Sequence, residues 1–306
     1  MTEKKSTIAA LFLALGLLGG SASASELYLV DAHSQIDHFV DRSIIVPLLD
    51  KAGIRHVILS TRGKVKPAQI TGFAAKHPDR ITAAVRTKGG SYTKNKPRYY
   101  KTLKKQLAMP GFGAMAEVIM WHAQKGNLAP EQVVAPDDKR VQVALKGAID
   151  KGWPFIVHIE FAASLSAETF MIKMEAMLAK HPDHPFALIH MGQLEAEEVT
   201  RLLAKHQNLY FLTSVSNPTI TKFSNQPWVD LFDGGASLAP RWKDLFNKYP
   251  DHFILAFDNV WEKQWSSEYV VQADLWRGAL GELPPDVASK VAHENAERLW
   301  KLPTAQ

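Results

Sequence analysis

The stretch YLVDAHSQID, residues 28–37, opens with branched and aromatic residues and then turns polar, with Asp31, His33 and Gln35 at alternate positions. An apolar run of this length that ends in polar groups reads as a buried strand delivering side chains to one of its ends. Residues two apart on a strand share a face, so His33 is expected to point with Gln35. Seven more runs of this kind follow: RHVILS from Arg55, RITAAVRT from Arg80, FGAMAEVIM from Phe112, PFIVHIE from Pro154, PFALIHMG from Pro185, LYFLTSV from Leu209 and HFILAFDNV from His252.

Between them lie segments of helical period such as PAQITGFAAKHPD, DDKRVQVALKGAIDKG and EAEEVTRLLAKHQ, several of which close at Gly or Pro. Strands alternating with helices favour a parallel sheet, and eight rounds of the alternation predict an α/β fold of the (β/α)8 type, a TIM barrel. A doubly wound open sheet is the competing arrangement, but no glycine-rich phosphate loop follows the first strand. Two connections are unusually long: WHAQKGNLAPEQVVAP after the fourth strand, and residues 214–240 after the seventh. Both are expected at the mouth formed by the strand C-termini, the second as a lid, and the chain is expected to close with a C-terminal helix pair.

Residues 1–24 combine Lys4 and Lys5, an apolar run from Ile8 to Leu18, and small residues ending in Ala22-Ser23-Ala24. This is the three-part pattern of a secretory signal peptide cut after Ala24, and the run is shorter than the ~20 residues that span a bilayer. Removing 24 of the 306 residues leaves 282, read as one domain over residues 25–306. The chain has no cysteine, so an exported fold must rely on its core rather than on disulfides, and a bacterial periplasm is the expected compartment. The formal charge of +5 falls to about +4 without Glu3, Lys4 and Lys5. The densest basic run, KNKPRYYKTLKK at residues 94–105, reads as a solvated helix face, which leaves nucleic acid aside as a partner. No stable membrane insertion is expected after signal removal, and a homo-oligomer is left open.

The strand ends carry the chemistry. The first offers Asp31, His33 and Gln35, the fourth Glu117, the fifth His158 and Glu160, the sixth His190 and the eighth Asp258. Each alone is ordinary, a histidine in a strand being more often a satisfied core group than a ligand. Together they put ionisable groups at equivalent positions of otherwise apolar strands, where burial without partners costs several kcal/mol apiece. A divalent cation would satisfy them jointly.

These motifs, DAHSQ, VHIE, HMG and FDN, with the closing ENAERLW, resemble the amidohydrolase superfamily, in particular its amidohydrolase-related branch of hydrolases, decarboxylases and lactonases. That resemblance implies one divalent metal, Zn2+, held by His33, Glu117, His158 and Asp258, with Asp258 also the base that takes a proton from water. It further implies that His190 orients or polarises a small-molecule substrate, or holds a second metal. Arg86, Trp121, His122, Glu160 and Trp261 are the expected substrate contacts. The departure is Gln35, which stands where the branch has a second histidine: it is either a fifth ligand through its amide oxygen, a weaker donor to zinc than an imidazole nitrogen, or a neighbour that hydrogen-bonds the bound water. Hydrolysis of an ester, lactone or amide is the expected reaction. Non-oxidative decarboxylation, metal-independent lactone hydrolysis and a non-catalytic periplasmic binding barrel are the alternatives.

Overall fold

The computed structural model describes residues 27–124, 130–160, 164–221 and 228–304. The candidate signal peptide therefore lies outside the described residues. Ten strands occur among them: β1 (Leu29–Ile36), β2 (Ile54–Thr61), β3 (Ile81–Val85), β4 (Phe112–Met115), β5 (Val118–His122), β6 (Gln132–Val133), β7 (Phe155–Ile159), β8 (Phe186–Leu188), β9 (Leu209–Leu212) and β10 (Phe253–Ile254). Strands β1 to β4 form one parallel sheet. A second sheet runs β10-β9-β8-β7-β5-β6, parallel except for the short β6 against β5.

Backbone bonds across two seams close these sheets into the expected barrel. At one seam Ala32 N donates to Leu255 O at 3.1 Å, Asp258 N to His33 O at 2.7 Å and Gln35 N to Asn259 O at 2.7 Å. At the other the expected fourth strand is not continuous: it breaks at Ala116–Glu117 into β4 and β5, and Ala116 N donates to Val85 O at 3.0 Å. That break turns two successive residues inward.

The apolar residues separate into two layers. Val30, Ala32, Ile58, Ala84, Ile156, Ala187, Leu212 and Ile254 fill the barrel interior, while the neighbouring residues Leu29, Val57, Leu59, Val157, Leu188 and Phe253 pack outward against the helices. This is the alternation a strand imposes when both of its faces are buried. The C-terminal helices Ser267–Leu280 and 285–300 cover the β10–β1 seam. In the second, the turn Lys290–Glu294 is π-helical: Asn295 N bonds Lys290 O, which frees Val291 O to accept from Leu255 N at 3.0 Å. Asn295 Nδ2 donates to Pro250 O and Phe253 O, and Trp300 and Leu302 join the interior cluster. The ENAERLW segment thus stoppers the end of the barrel opposite the mouth. No helix of the described residues is long and apolar enough to cross a membrane.

Candidate metal centre

At the mouth, three imidazoles and three carboxylates alternate in a closed ring. His33 Nε2 lies 2.7 Å from Glu117 Oε2, and Glu117 Oε1 lies 3.9 Å from His158 Nδ1. His158 Nε2 is 3.1 Å from Glu160 Oε1, which is 3.4 Å from His190 Nε2; His190 Nε2 is 3.7 Å from Asp258 Oδ2, and Asp258 Oδ1 returns to His33 Nε2 at 3.5 Å. All six residues are buried.

Local backbone departures bring them together. In β1 the register slips by one residue between Asp31 and Ser34, so that His33 joins Gln35 at the mouth while Asp31 turns outward. Asp31 is held there by donors: Tyr269 Oη at 2.9 Å, Phe257 N at 3.1 Å, His33 N at 3.2 Å and the Ser34 hydroxyl. Its carboxyl is pushed up by burial in spite of these bonds, and it braces the strand against the helix layer without reaching the ring. Simple alternation, which set Asp31 with His33 and Gln35, therefore fails here.

The sixth and eighth strands are shorter than the sequence suggests, ending at Leu188 and Ile254. Alternation from Ala187 and Ile189 would send His190 outward. Instead His190 (φ 55°), Met191 (φ 54°), Gly192 (φ 62°) and Gln193 (φ 53°) form a left-handed turn. Such angles cost non-glycine residues about 1–2 kcal/mol each, a strain met here beside the ring. Ser214 fixes the imidazole, its Oγ 3.0 Å and its O 3.2 Å from Nδ1. Asp258, four residues past β10, is also left-handed at φ 52°.

Charge is balanced from the first sheet. The Lys88 ammonium, with a side chain 17% exposed, contacts Glu117 Oε1. Gln35 Nε2 donates to Glu117 Oε1 at 3.2 Å and to Asp258 Oδ1 at 2.6 Å. Burial opposes ionisation of Glu117, but Lys88, His33 and His158 outweigh it and hold the carboxyl well below its ordinary range. For His33, burial is outweighed by Glu117 and Asp258, and its pKa is raised.

The donors fit a divalent cation. His33 Nε2 and Glu117 Oε2 form a buried ion pair 2.7 Å apart, and Gln35 Oε1 beside them is a buried acceptor without a hydrogen-bond partner among the described residues. A leftover buried acceptor among clustered imidazoles and carboxylates is the kind of group that an ion or a water satisfies. Ligand atoms of His33, Glu117 and Asp258 all lie within 4.8 Å of one another, and so do those of His122, His158 and Glu160. Two ligands ~2.1 Å from a tetrahedral ion stand roughly 3.4 Å apart, close to the His33–Asp258 spacing. His158, a member of the second group, borders the first through its Nδ1, 3.9 Å from Glu117 Oε1.

Of the expected substrate contacts, Glu160 belongs to the ring, and His122 borders it, stacked on His158 at 5.2 Å. Trp121 is turned into the outer core, its Nε1 donating to Glu131 at 3.0 Å, and Phe170 meets its ring edge-on. Arg86 is not brought to the ring: it donates to Lys88 O and Gly63 O. Trp261 is 57% exposed, with the Arg62 guanidinium 4.3 Å from its ring. Two residues near the ring were not among those expected. Trp228 lies edge-on to His190 at 5.8 Å, and Lys88 bears on Glu117. A cation just past a strand end, in RTKGG, was the available signal for Lys88.

The amidohydrolase family model matches residues 102–302. Solved structures similar to this one include a putative amidohydrolase from Staphylococcus aureus (13% identity over 90% of this chain and 100% of that one, TM-score 0.55). A zinc-bound amidohydrolase from Burkholderia multivorans has 12% identity over 90% and 100%, with a TM-score of 0.53. The 2,6-dihydroxybenzoate decarboxylase from Rhizobium has 15% over 90% and 99%, with a TM-score of 0.52. No match was found among curated protein sequences. The chain belongs to the amidohydrolase family and is an enzyme of that type.

Proposed function

We propose that this amidohydrolase-family member hydrolyses an ester, lactone or amide of a small molecule with the aid of one divalent metal ion, Zn2+. The observation that carries the reading is the buried ring of alternating imidazoles and carboxylates, in which ligand atoms of His33, Glu117 and Asp258 all lie within 4.8 Å of one another. His33, Glu117, His158 and Asp258 would hold the ion, which when bound would supply the Lewis acidity that lowers the pKa of water from about 15.7 to roughly 7 and polarises a carbonyl. Asp258 accepts the proton of the attacking water and returns it to the leaving oxygen or nitrogen. His190, fixed by Ser214, orients the acyl group, while Lys88 keeps Glu117 ionised and the Gln35 amide donates to both Glu117 and Asp258. His122 and Trp228 border the substrate.

The test is a panel of esters, lactones and amides assayed with and without chelator, alongside a carboxylic-acid panel monitored for CO2. Acid release that stops on chelation and in Asp258→Asn supports hydrolysis; CO2 release from an aromatic acid would replace it with decarboxylation.

A second reading is favoured by one observation. Lys88 and the Gln35 amide already present positive charge and donors to Glu117 and Asp258, the role an ion would fill, and this supports metal-independent hydrolysis. Activity that survives exhaustive chelation would select it. The proposal extends to location, with residues 1–24 directing export to the periplasm. Amino-terminal sequencing of protein from the periplasmic fraction should begin at Ser25, and an intact Met1 would contradict export.

A further inference from the structure

Beside the ring, on the same face of the barrel, a cavity of about 490 Å3 opens between the loop after β2, the loop after β3 and the helix Pro97–Leu107. Its size falls within the range of small-molecule sites. Five cations line it: Lys64, Lys66, Arg86, Lys88 and Arg98. No Asp or Glu does. Elsewhere the described cations are commonly paired, as in Arg80–Asp50, Arg140–Asp138, Arg201–Glu175 and Lys290–Asp251. Within the cavity only Lys88 has a carboxylate partner among the described residues, and that partner is Glu117 of the ring.

The half-buried Arg86 gives an independent sign. Its Nε and Nη1 donate to the carbonyls of Lys88 and Gly63, while Nη2 donates to nothing among the described residues. Gly89, at φ +124°, lies against that nitrogen: a Cβ there would stand 3.1 Å from Nη2. Gln106 pins the Arg86 backbone by accepting from its N–H and donating to its carbonyl. Burial, followed by the nearby Arg62, lowers the Arg86 pKa. Like charges gathered at a concave site repel one another until an anion arrives, and low-dielectric walls focus that field. The helix carrying the basic run buries Tyr99, Leu103 and Gln106 and leaves its cations outward, so the run is a solvated face that also forms one wall of the cavity.

We propose that this cavity binds an oxyanion group of the substrate, a phosphate, sulfate or carboxylate, so that the enzyme selects anionic small molecules. Arg86 contributes its free Nη2, Lys64, Lys66 and Arg98 supply charge, and Lys88 links the bound anion to Glu117 at the ring. The identification of the anion as part of a substrate rests on the hydrolytic reading; the binding itself does not.

The experiment is calorimetric titration of the full protein at low ionic strength with inorganic phosphate, sulfate and acetate, before and after exhaustive chelation. Phosphate is expected to bind with the same affinity in both states and to weaken as NaCl is added. The double variant Lys66→Glu/Arg98→Glu, whose side chains make no hydrogen bond or ion pair with another side chain among the described residues, is expected to bind about tenfold or more weakly with an unchanged Tm. Sulfate binding without acetate binding assigns a tetrahedral anion, and the converse assigns a carboxylate. Absence of binding, binding only when metal is present, or equal binding by the double variant overturns the proposal. Phosphate binding in a protein that hydrolyses no ester, lactone or amide would overturn the hydrolytic reading alone.

Discussion

The two arcs of the barrel carry different kinds of residue. The arc from β5 to β10 lies within the family match and supplies His158, His190 and Asp258 in the motifs VHIE, HMG and FDN. The arc from β1 to β3 lies outside that match and holds the departures: Gln35, then Lys88 just past β3, and most of the lining of the cation-lined cavity. Ligation is shared between the arcs, since His33 of β1 closes the ring; what the β1–β3 side adds is charge and donors, with Lys88 on Glu117 and Gln35 on Glu117 and Asp258.

The sharpest way to break the comparison is to remove a member of the ring from the family arc. Asp258→Asn keeps shape and loses the base, so kcat is expected to fall about 10³-fold with Tm preserved; near-normal turnover would take Asp258 out of the chemistry. Lys88→Met tests the other arc. It leaves Glu117 buried without its ammonium, and removal of one partner from a buried pair costs about 3 kcal/mol or more. Denaturant unfolding of the chelated variant should show that loss, and zinc should restore most of it. Equal loss with and without zinc would mean that the ion does not supply the missing charge.

Two buried histidines on adjacent strands sharpen the contrast between mouth and base. His33 at the mouth is raised by its carboxylates, while His56 near the start of β2 is lowered to about 4, chiefly by burial. His56 lies 3.1 Å from Asp79 O through Nδ1 and 2.8 Å from Thr82 Oγ1 through Nε2, so the neutral ring is fully bonded. Because its folded pKa lies below the unfolded value of 6.5, its contribution is complete above pH 6.5. It is lost as the pH falls toward about 4, amounting to roughly 2–3 kcal/mol. Unfolding free energies of wild type and His56→Gln, compared across that window, should differ in slope; parallel slopes would contradict this. The smallest effect expected is that of Gln35→His, which restores an imidazole and should tighten zinc binding about tenfold. Unchanged affinity would place residue 35 outside the metal's ligands.

The eight-strand rhythm was legible because each strand is apolar on both faces and bounded by helices of clear period. The ring members were legible as ionisable residues in apolar strands. What alternation cannot show is where a strand stops obeying it. The slip in β1 turned Asp31 to Tyr269, the break after Met115 turned Glu117 inward, and the left-handed turn at His190 reversed a side chain that period two would have sent into the helix layer. Arg86 and Lys88 differ for the same reason: once Arg86 N–H is taken by Gln106, the chain has left the sheet, and the later cation is the one that reaches Glu117.

Whether the ring holds a metal that the reaction needs is decided most directly by elemental analysis of the purified protein, with activity followed through stepwise chelation. The expected result is about one equivalent of zinc per chain, lost in proportion to activity and restored with it. Full activity in metal-free protein would contradict this, and would leave the Lys88 ammonium and the Gln35 amide as the groups that balance the carboxylates of the site.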